Sequence, residues 1–205
     1  MNKQPPIQKT EPEVFILESL DFDDENESRF EGRILADVLR MCGKNPKYYY
    51  FRTEAELEIL TLMFRESGYR YLHLSCHGSS DKIHTTLNDI TYIRFSQIFE
   101  KNLRNRRLFV SACEVGNELF SAVVAGRNKG MYSIAGPSED IRFDHAVAFW
   151  SAFYVKAFSV DSGAMKGGDI ESALQDLCKL FAINFFFSKY NAKKDKWINK
   201  DISGR

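Results

Sequence analysis

Apolar residues alternate along most of the chain between short strand-length runs and stripes of helical spacing. Val14 to Leu20 is a short apolar run that reads as a buried strand. The acidic segment Asp21 to Glu27 then leads into a helix with Phe30, Ile34, Val38 and Met41 on one face, stopped by Gly43. Tyr48 to Phe51 reads as the next strand. Thr53 with Glu56 forms a capping box, and Leu57, Leu60 and Phe64 mark the helix behind it, ended by Gly68. Tyr69 to Cys76 is a third strand, and Ile83 to Ile93 reads as a hairpin around Asn88-Asp89. Phe95, Ile98, Phe99 and Leu103 predict a short helix, Leu108 to Ala112 a strand and Leu119 to Ala125 a helix. Gly130 to Ala135 reads as a strand closed by Gly136-Pro137. Ala146 to Phe158 is apolar almost all the way round, which predicts a buried or interface helix. Beyond the Gly167-Gly168 break, Asp169 is placed to cap a helix bearing Ile170, Leu174, Leu177 and Phe181, and Phe185 to Trp197 returns as an edge strand or hairpin. Strands alternating with helices predict a doubly wound α/β sheet.

Residues 1–12 read as a disordered lead-in without the apolar centre of a signal peptide, and 13–205 as one domain large enough to bury a full core. Lys plus Arg and Asp plus Glu both number 28. That balance argues against a broad nucleic-acid surface, which has to neutralise many phosphates. The five lysines between Lys189 and Lys200 read as a solvated face. Apolar stretches are too short to span a bilayer. Cys42, Cys76, Cys113 and Cys178 are widely spaced and mostly within apolar patterns, as expected of reduced thiols in a cytoplasmic protein.

Two of the strand-like runs end on reactive side chains beside glycine. Tyr71 to Gly78 (YLHLSCHG) ends in His-Gly, and Leu108 to Gly116 (LFVSACEVG) ends in Ala-Cys-x-x-Gly. In a parallel sheet both ends point to the edge where such sheets place their chemistry. There His77 and Cys113 make a candidate acid–base and thiol pair. Gly78 lets a backbone N–H approach a carbonyl oxygen closely, and with the Cys113 N–H it makes a candidate oxyanion hole. Cys76 points to the opposite strand face and reads as core. His73 reads as packing, and His84 and His145 carry no signal. A zinc site from Cys76, His77 and Cys113 would lack a fourth ligand at a usual spacing, so neither metal nor cofactor is expected. Glu139, Asp140 and Asp144 follow the Gly136-Pro137 turn at the same edge, either as a solvated acidic loop or as a pocket for a basic side chain.

The order strand–His-Gly, hairpin, helix, strand–Ala-Cys resembles that of the caspase-like cysteine peptidases, a group that includes caspases, separases, gingipains and clostripain. Leu74-Ser75-Cys76-His77-Gly78 is similar to the His box of the CHAT subgroup, and Val110 to Gly116 (VSACEVG) to its Ser-Ala-Cys-x-x-Gly box. Gly136 to Tyr154 resembles the segment that follows the Cys strand. The resemblance implies a three-layer fold, mostly parallel, with a small hairpin after the His strand. It also implies a cysteine endopeptidase that cleaves a partner protein, in bacterial defence or programmed cell death. A preformed cytoplasmic peptidase needs restraint, so a regulatory protein partner is expected, with the Ser79–Ile93 segment as gate and the Ala146–Phe158 helix as docking surface or homo-oligomer contact. A catalytically silent interaction module, or thiol-dependent acyl transfer, would use the same residues.

Overall fold

The structure, a computed structural model, describes residues 10–205. Seven strands form the central sheet: β1 (Glu11–Glu18), β2 (Lys47–Tyr50), β3 (Tyr69–Ser75), β7 (Arg107–Ser111), β8 (Ser133–Pro137), β9 (Phe185–Asn191) and β10 (Lys196–Ile202). Their spatial order is β10-β9-β8-β7-β3-β1-β2. The β1, β2, β3, β7 and β8 strands run parallel, and the β9–β10 hairpin adds antiparallel to β8. Just after β3, a small antiparallel sheet is made by β4 (His77–Gly78), β5 (Lys82–His84) and β6 (Asp89–Thr91).

Helices cover both faces, and the alternation of side chains along each strand divides the core accordingly. On one face α2 (Glu31–Met41), α6 (Phe143–Val160) and α7 (Gly167–Phe181) pack over Val14, Ile16, Tyr71 and Phe109. On the other, α3 (Glu54–Ser67), α4 (Tyr92–Ile98) and α5 (Glu118–Arg127) pack over Phe15, Leu17, Leu72, Leu74, Leu108 and Val110. A short α1 (Phe22–Asn26) bridges β1 and α2. This is the caspase-like fold, with the expected hairpin after the His strand.

Local signals explain most element ends. Thr53 Oγ1 accepts from Glu56 N–H, Glu56 accepts from Thr53 N–H, and Gly68 closes α3 at φ 71°. Several expectations are corrected. Of the lead-in, residues 1–9 lie outside the described residues, and Glu11 and Pro12 already belong to β1. The buried stripe of α2 is Glu31, Gly32, Leu35, Ala36 and Leu39, whereas Ile34 and Met41 are exposed. The acidic segment contains α1, capped by the Asp21 carboxylate on Asp24 N–H. Asp169 lies inside the first turn of α7, whose N-cap is Lys166. The α6 helix is one-sided. Phe149, Trp150, Phe153, Tyr154 and Phe158 face the core at helical spacing, Val155 and Val160 face outward, and so its apolar stripe is not free for docking. Among the described residues no helix is long and apolar enough to cross a membrane.

Candidate active site

Register brings the two reactive ends together. In the parallel β3–β7 ladder Ser75 pairs with Ser111, and the Cys76 N–H donates to the Ser111 carbonyl at 3.0 Å. His77 and Cys113 each lie two residues beyond that matched pair, so they leave the same sheet edge side by side. Glycine makes the approach close. A Cβ on Gly78 would sit 2.5 Å from Val115 Cγ2 and 3.0 Å from the Cys113 carbonyl oxygen. A Cβ on Gly116 would sit 2.1 Å from the Gly136 carbonyl, where the Gly116 N–H donates to Pro137. The glycines of both boxes are thus places where one backbone crosses another.

The half-exposed His77 ring is fixed from one side. Its Nε2 lies 2.6 Å from Asp24 Oδ2 and 3.7 Å from Asp21, and its edge meets the Phe143 ring at a centroid distance of 5.5 Å. A carboxylate only accepts, so the hydrogen of this contact belongs to His77 Nε2. Asp24 is itself buried and held by Arg29 at 2.6 Å. Asp24 is the candidate site residue that sequence reasoning missed, because the acidic run reads only as the lead into a helix. The available signal was its position: it follows the end of β1, at the same edge as His77 and Cys113.

Cys113 is half-buried. Its Sγ lies 3.5 Å from the Ile141 N–H and 3.7 Å from the Ile141 carbonyl oxygen. Burial pushes the thiol pKa up, opposed by the Ile141 N–H and reinforced by the Asp140 carboxylate. The sulfur is thus held against the 138–142 loop through Ile141. Cys76 is buried on the other strand face among the α3 and α4 side chains, and burial raises its pKa steeply. Among the described residues, only Asp21, Asp24 and His77 bring three metal-type ligand atoms within 4.8 Å, and there Asp24 and His77 already satisfy each other.

Gly136 and Pro137 are the last residues of β8 rather than a turn closing it, and the three acidic residues that follow have separate settings. Glu139 accepts from the backbone N–H and side-chain amide of Asn184 at 2.7 and 3.0 Å, with Arg205 at 3.4 Å. Asp144 is exposed and paired with Arg142 at 2.8 Å. Asp140 adjoins Cys113 and pairs with no cation among the described residues. A cavity of about 630 Å³ opens here between Glu114, Asp140, Ile141, Phe181 and Arg205. A larger one, about 1010 Å³, is lined by Arg104, Lys129 and Trp197, with no His or Cys among its lining residues. Chemistry rather than volume places the candidate site.

No protein-family model and no curated protein sequence matches the chain. Solved structures do. The crystal structure of the Arg-specific cysteine proteinase gingipain R aligns over 96% of this chain and 48% of its own, at 16% identity and a TM-score of 0.55. A complex of the pro- and mature domains of Porphyromonas gingivalis RgpB aligns over 84% of this chain and 44% of its own, at 15% identity and a TM-score of 0.52. The chain thus spans about half the length of the structures it matches, and the likeness is one of fold.

Proposed function

We propose that this chain is a cysteine endopeptidase working through His77 and Cys113. The observation that carries the reading is the Ser75–Ser111 register, which delivers a carboxylate-tethered histidine and a partly accessible thiol to one sheet edge. His77 Nδ1 accepts the Cys113 thiol proton while Asp24 steadies the resulting imidazolium. The thiolate adds to a substrate carbonyl, and the oxyanion formed is met by the N–H groups of Gly78 and Cys113. Collapse expels the amine, which takes the proton from His77, and water then hydrolyses the thioester. No metal or cofactor takes part in this scheme.

The substrate is a protein segment with a basic residue before the cut bond, read by Asp140 in the lining of the 630 Å³ cavity. That preference accords with gingipain R, an Arg-specific cysteine proteinase. Glu139 and Asp144 contribute charge around the pocket rather than direct contacts. Activation requires the 138–142 loop to release the sulfur, and a regulatory protein partner in the cytoplasm supplies that release. This refines the assignment of the gate, since the Ser79–Ile93 segment is anchored through Tyr92 to Ser79 and Asn117. The Ser-Ala-Cys-x-x-Gly box favours the CHAT branch, and with it a role in defence or programmed cell death.

The Ile141 hold on the thiol equally favours a second reading, a catalytically silent interaction module. A peptide-library digest read by mass spectrometry separates the two. Cleavage after Arg or Lys that disappears in Cys113→Ala and His77→Ala supports the peptidase. No cleavage by the chain with any candidate partner overturns it, and cleavage after acidic or apolar residues removes the Asp140 pocket.

A further inference from the structure

Beneath the proposed dyad, the two strand ends share one buried anchor. Glu31, the first residue of α2, is 2% exposed. Its Oε2 accepts the Ser75 hydroxyl at 3.0 Å and the Ser111 hydroxyl at 2.9 Å. These serines are the paired last residues of β3 and β7, each two positions before a dyad residue, and alternation turns both to the α2 face. The other oxygen, Oε1, lies 3.5 Å from His73 Nε2, and neither atom has a hydrogen-bond partner of ordinary length. His73 is fully buried, with Nδ1 3.2 Å from the Tyr154 hydroxyl on α6 and its ring edge-on to Trp150. From β1, Glu18 faces the same layer and is occupied by the Gly32 N–H at 2.6 Å and the Tyr48 hydroxyl at 2.7 Å.

A carboxyl group in this layer is costly. Burying one demands partners for its oxygens, and an apolar side chain of similar volume would pack α2 on the sheet without that demand. What Glu31 adds is geometric. The β3–β7 ladder stops at Ser75 and Ser111, so beyond them the chains bearing His77 and Cys113 are no longer paired with each other, His77 pairing instead with His84 of β5. One carboxylate gripping both terminal hydroxyls holds those two ends at a fixed separation. The grip comes from the segment that also supplies Asp24 and Arg29, so the 24–31 stretch orients the histidine ring and spaces the strand ends together.

We propose that Glu31 is a positioning residue for the dyad, setting the separation of His77 and Cys113 through the Ser75 and Ser111 hydroxyls. The proposal rests on the peptidase reading, and a substrate-free measurement keeps the two apart. The rate of Cys113 alkylation by iodoacetamide is followed against pH in the full chain. In the wild type a histidine-linked inflection is expected, absent from His77→Ala. Glu31→Ala is expected to lose that inflection while still unfolding cooperatively, and Glu31→Gln to restore it, since the amide oxygen can accept both hydroxyls. Ser188→Ala is the control. It removes another buried hydroxyl of the same sheet, bonded to Asn199 at 2.7 Å, and should lower stability with the inflection intact. With a cleavable peptide in hand, Glu31→Ala should lower kcat by about 10²-fold with little change in KM, the cost of roughly 1 Å of misplacement. If Glu31→Ala does not fold, the double variant Ser75→Ala, Ser111→Ala removes the same ties and is expected to lose the inflection. An inflection retained in a folded Glu31→Ala or in the double serine variant overturns the positioning role alone. An identical profile in wild type and His77→Ala overturns the dyad, and the positioning role with it.

Discussion

The two faces of the central sheet are built from alternate residues of the same strands, yet they differ in kind. Toward α3, α4 and α5, strands β1, β3 and β7 present Phe15, Leu17, Leu72, Leu74, Leu108 and Val110, a wholly apolar surface. Toward α2 and α6 the same strands present Glu18, His73, Ser75 and Ser111 among their apolar residues, all buried. The apolar face supplies burial, whose free energy grows with area and needs no particular geometry. The polar face supplies direction, because its hydroxyls and carboxylates are satisfied only at hydrogen-bond distance. His77 and Cys113 follow in the parity of the polar face. The candidate dyad therefore sits at the end of the geometrically determined layer, and the oily layer packs behind it.

Substitutions can sharpen this contrast, beginning with the largest effect. Asp24→Asn should lower kcat/KM on any cleaved peptide by about 10²–10⁴-fold, the range of general acid–base assistance. An amide can donate to Nε2 and so favour the wrong imidazole tautomer, as in the serine-protease precedent. Unchanged turnover would show that Asp24 anchors α1 and nothing more. On the oily face, Leu74→Ala should cost about 2–5 kcal/mol in denaturant unfolding, with the same cost at every pH.

Glu18 on the polar face should behave in the opposite way. Burial raises its pKa from the ordinary 4.5 to about 7. The folded chain therefore binds the proton more tightly than the unfolded one. The stabilisation from this group is complete below pH 4.5, declines as pH rises through the window from 4.5 to about 7, and is gone above it. Relative to Glu18→Gln, the wild type should lose roughly 3 kcal/mol of stability across that window. Parallel pH–stability curves for the two proteins would contradict the buried setting of Glu18. The smallest expected effect is that of Cys76→Ala, about 1 kcal/mol from lost packing, with the alkylation chemistry of Cys113 unaltered. A change in Cys113 reactivity would mean that the two faces communicate through β3.

Helix α2 shows why part of this was hidden from sequence. The spacing of Phe30, Ile34, Val38 and Met41 makes an acceptable apolar stripe, and Leu35, Ala36 and Leu39 make another one turned by about 150° around the helix axis. The molecule buries the second stripe although it brings Glu31 and Gly32 inside. Ser75 and Ser111 repay the carboxylate, and those partners are invisible to any periodicity within the helix. The acidic residues after Gly136-Pro137 had the converse problem. Their position at the active edge was legible, but their separate engagements with Asn184, Arg142 and Cys113 were not.

Local sequence alone determined the order of strands and helices, the capping of α3, the two glycine-bearing boxes, and the arrival of a histidine and a cysteine at one edge of a parallel sheet. These follow from side-chain period and from backbone sterics acting over a few residues. Tertiary structure decided which carboxylates serve them. Asp24 reaches His77 across 53 positions of chain, and Glu31 reaches Ser75 across 44 and Ser111 across 80. In the sequence a carboxylate destined for burial looks the same as one destined for solvent. The distinction arises only when α1 and α2 fold back over β1, β3 and β7, and desolvation then favours a donor for a buried oxygen, as Glu31 Oε2 finds in Ser75 and Ser111.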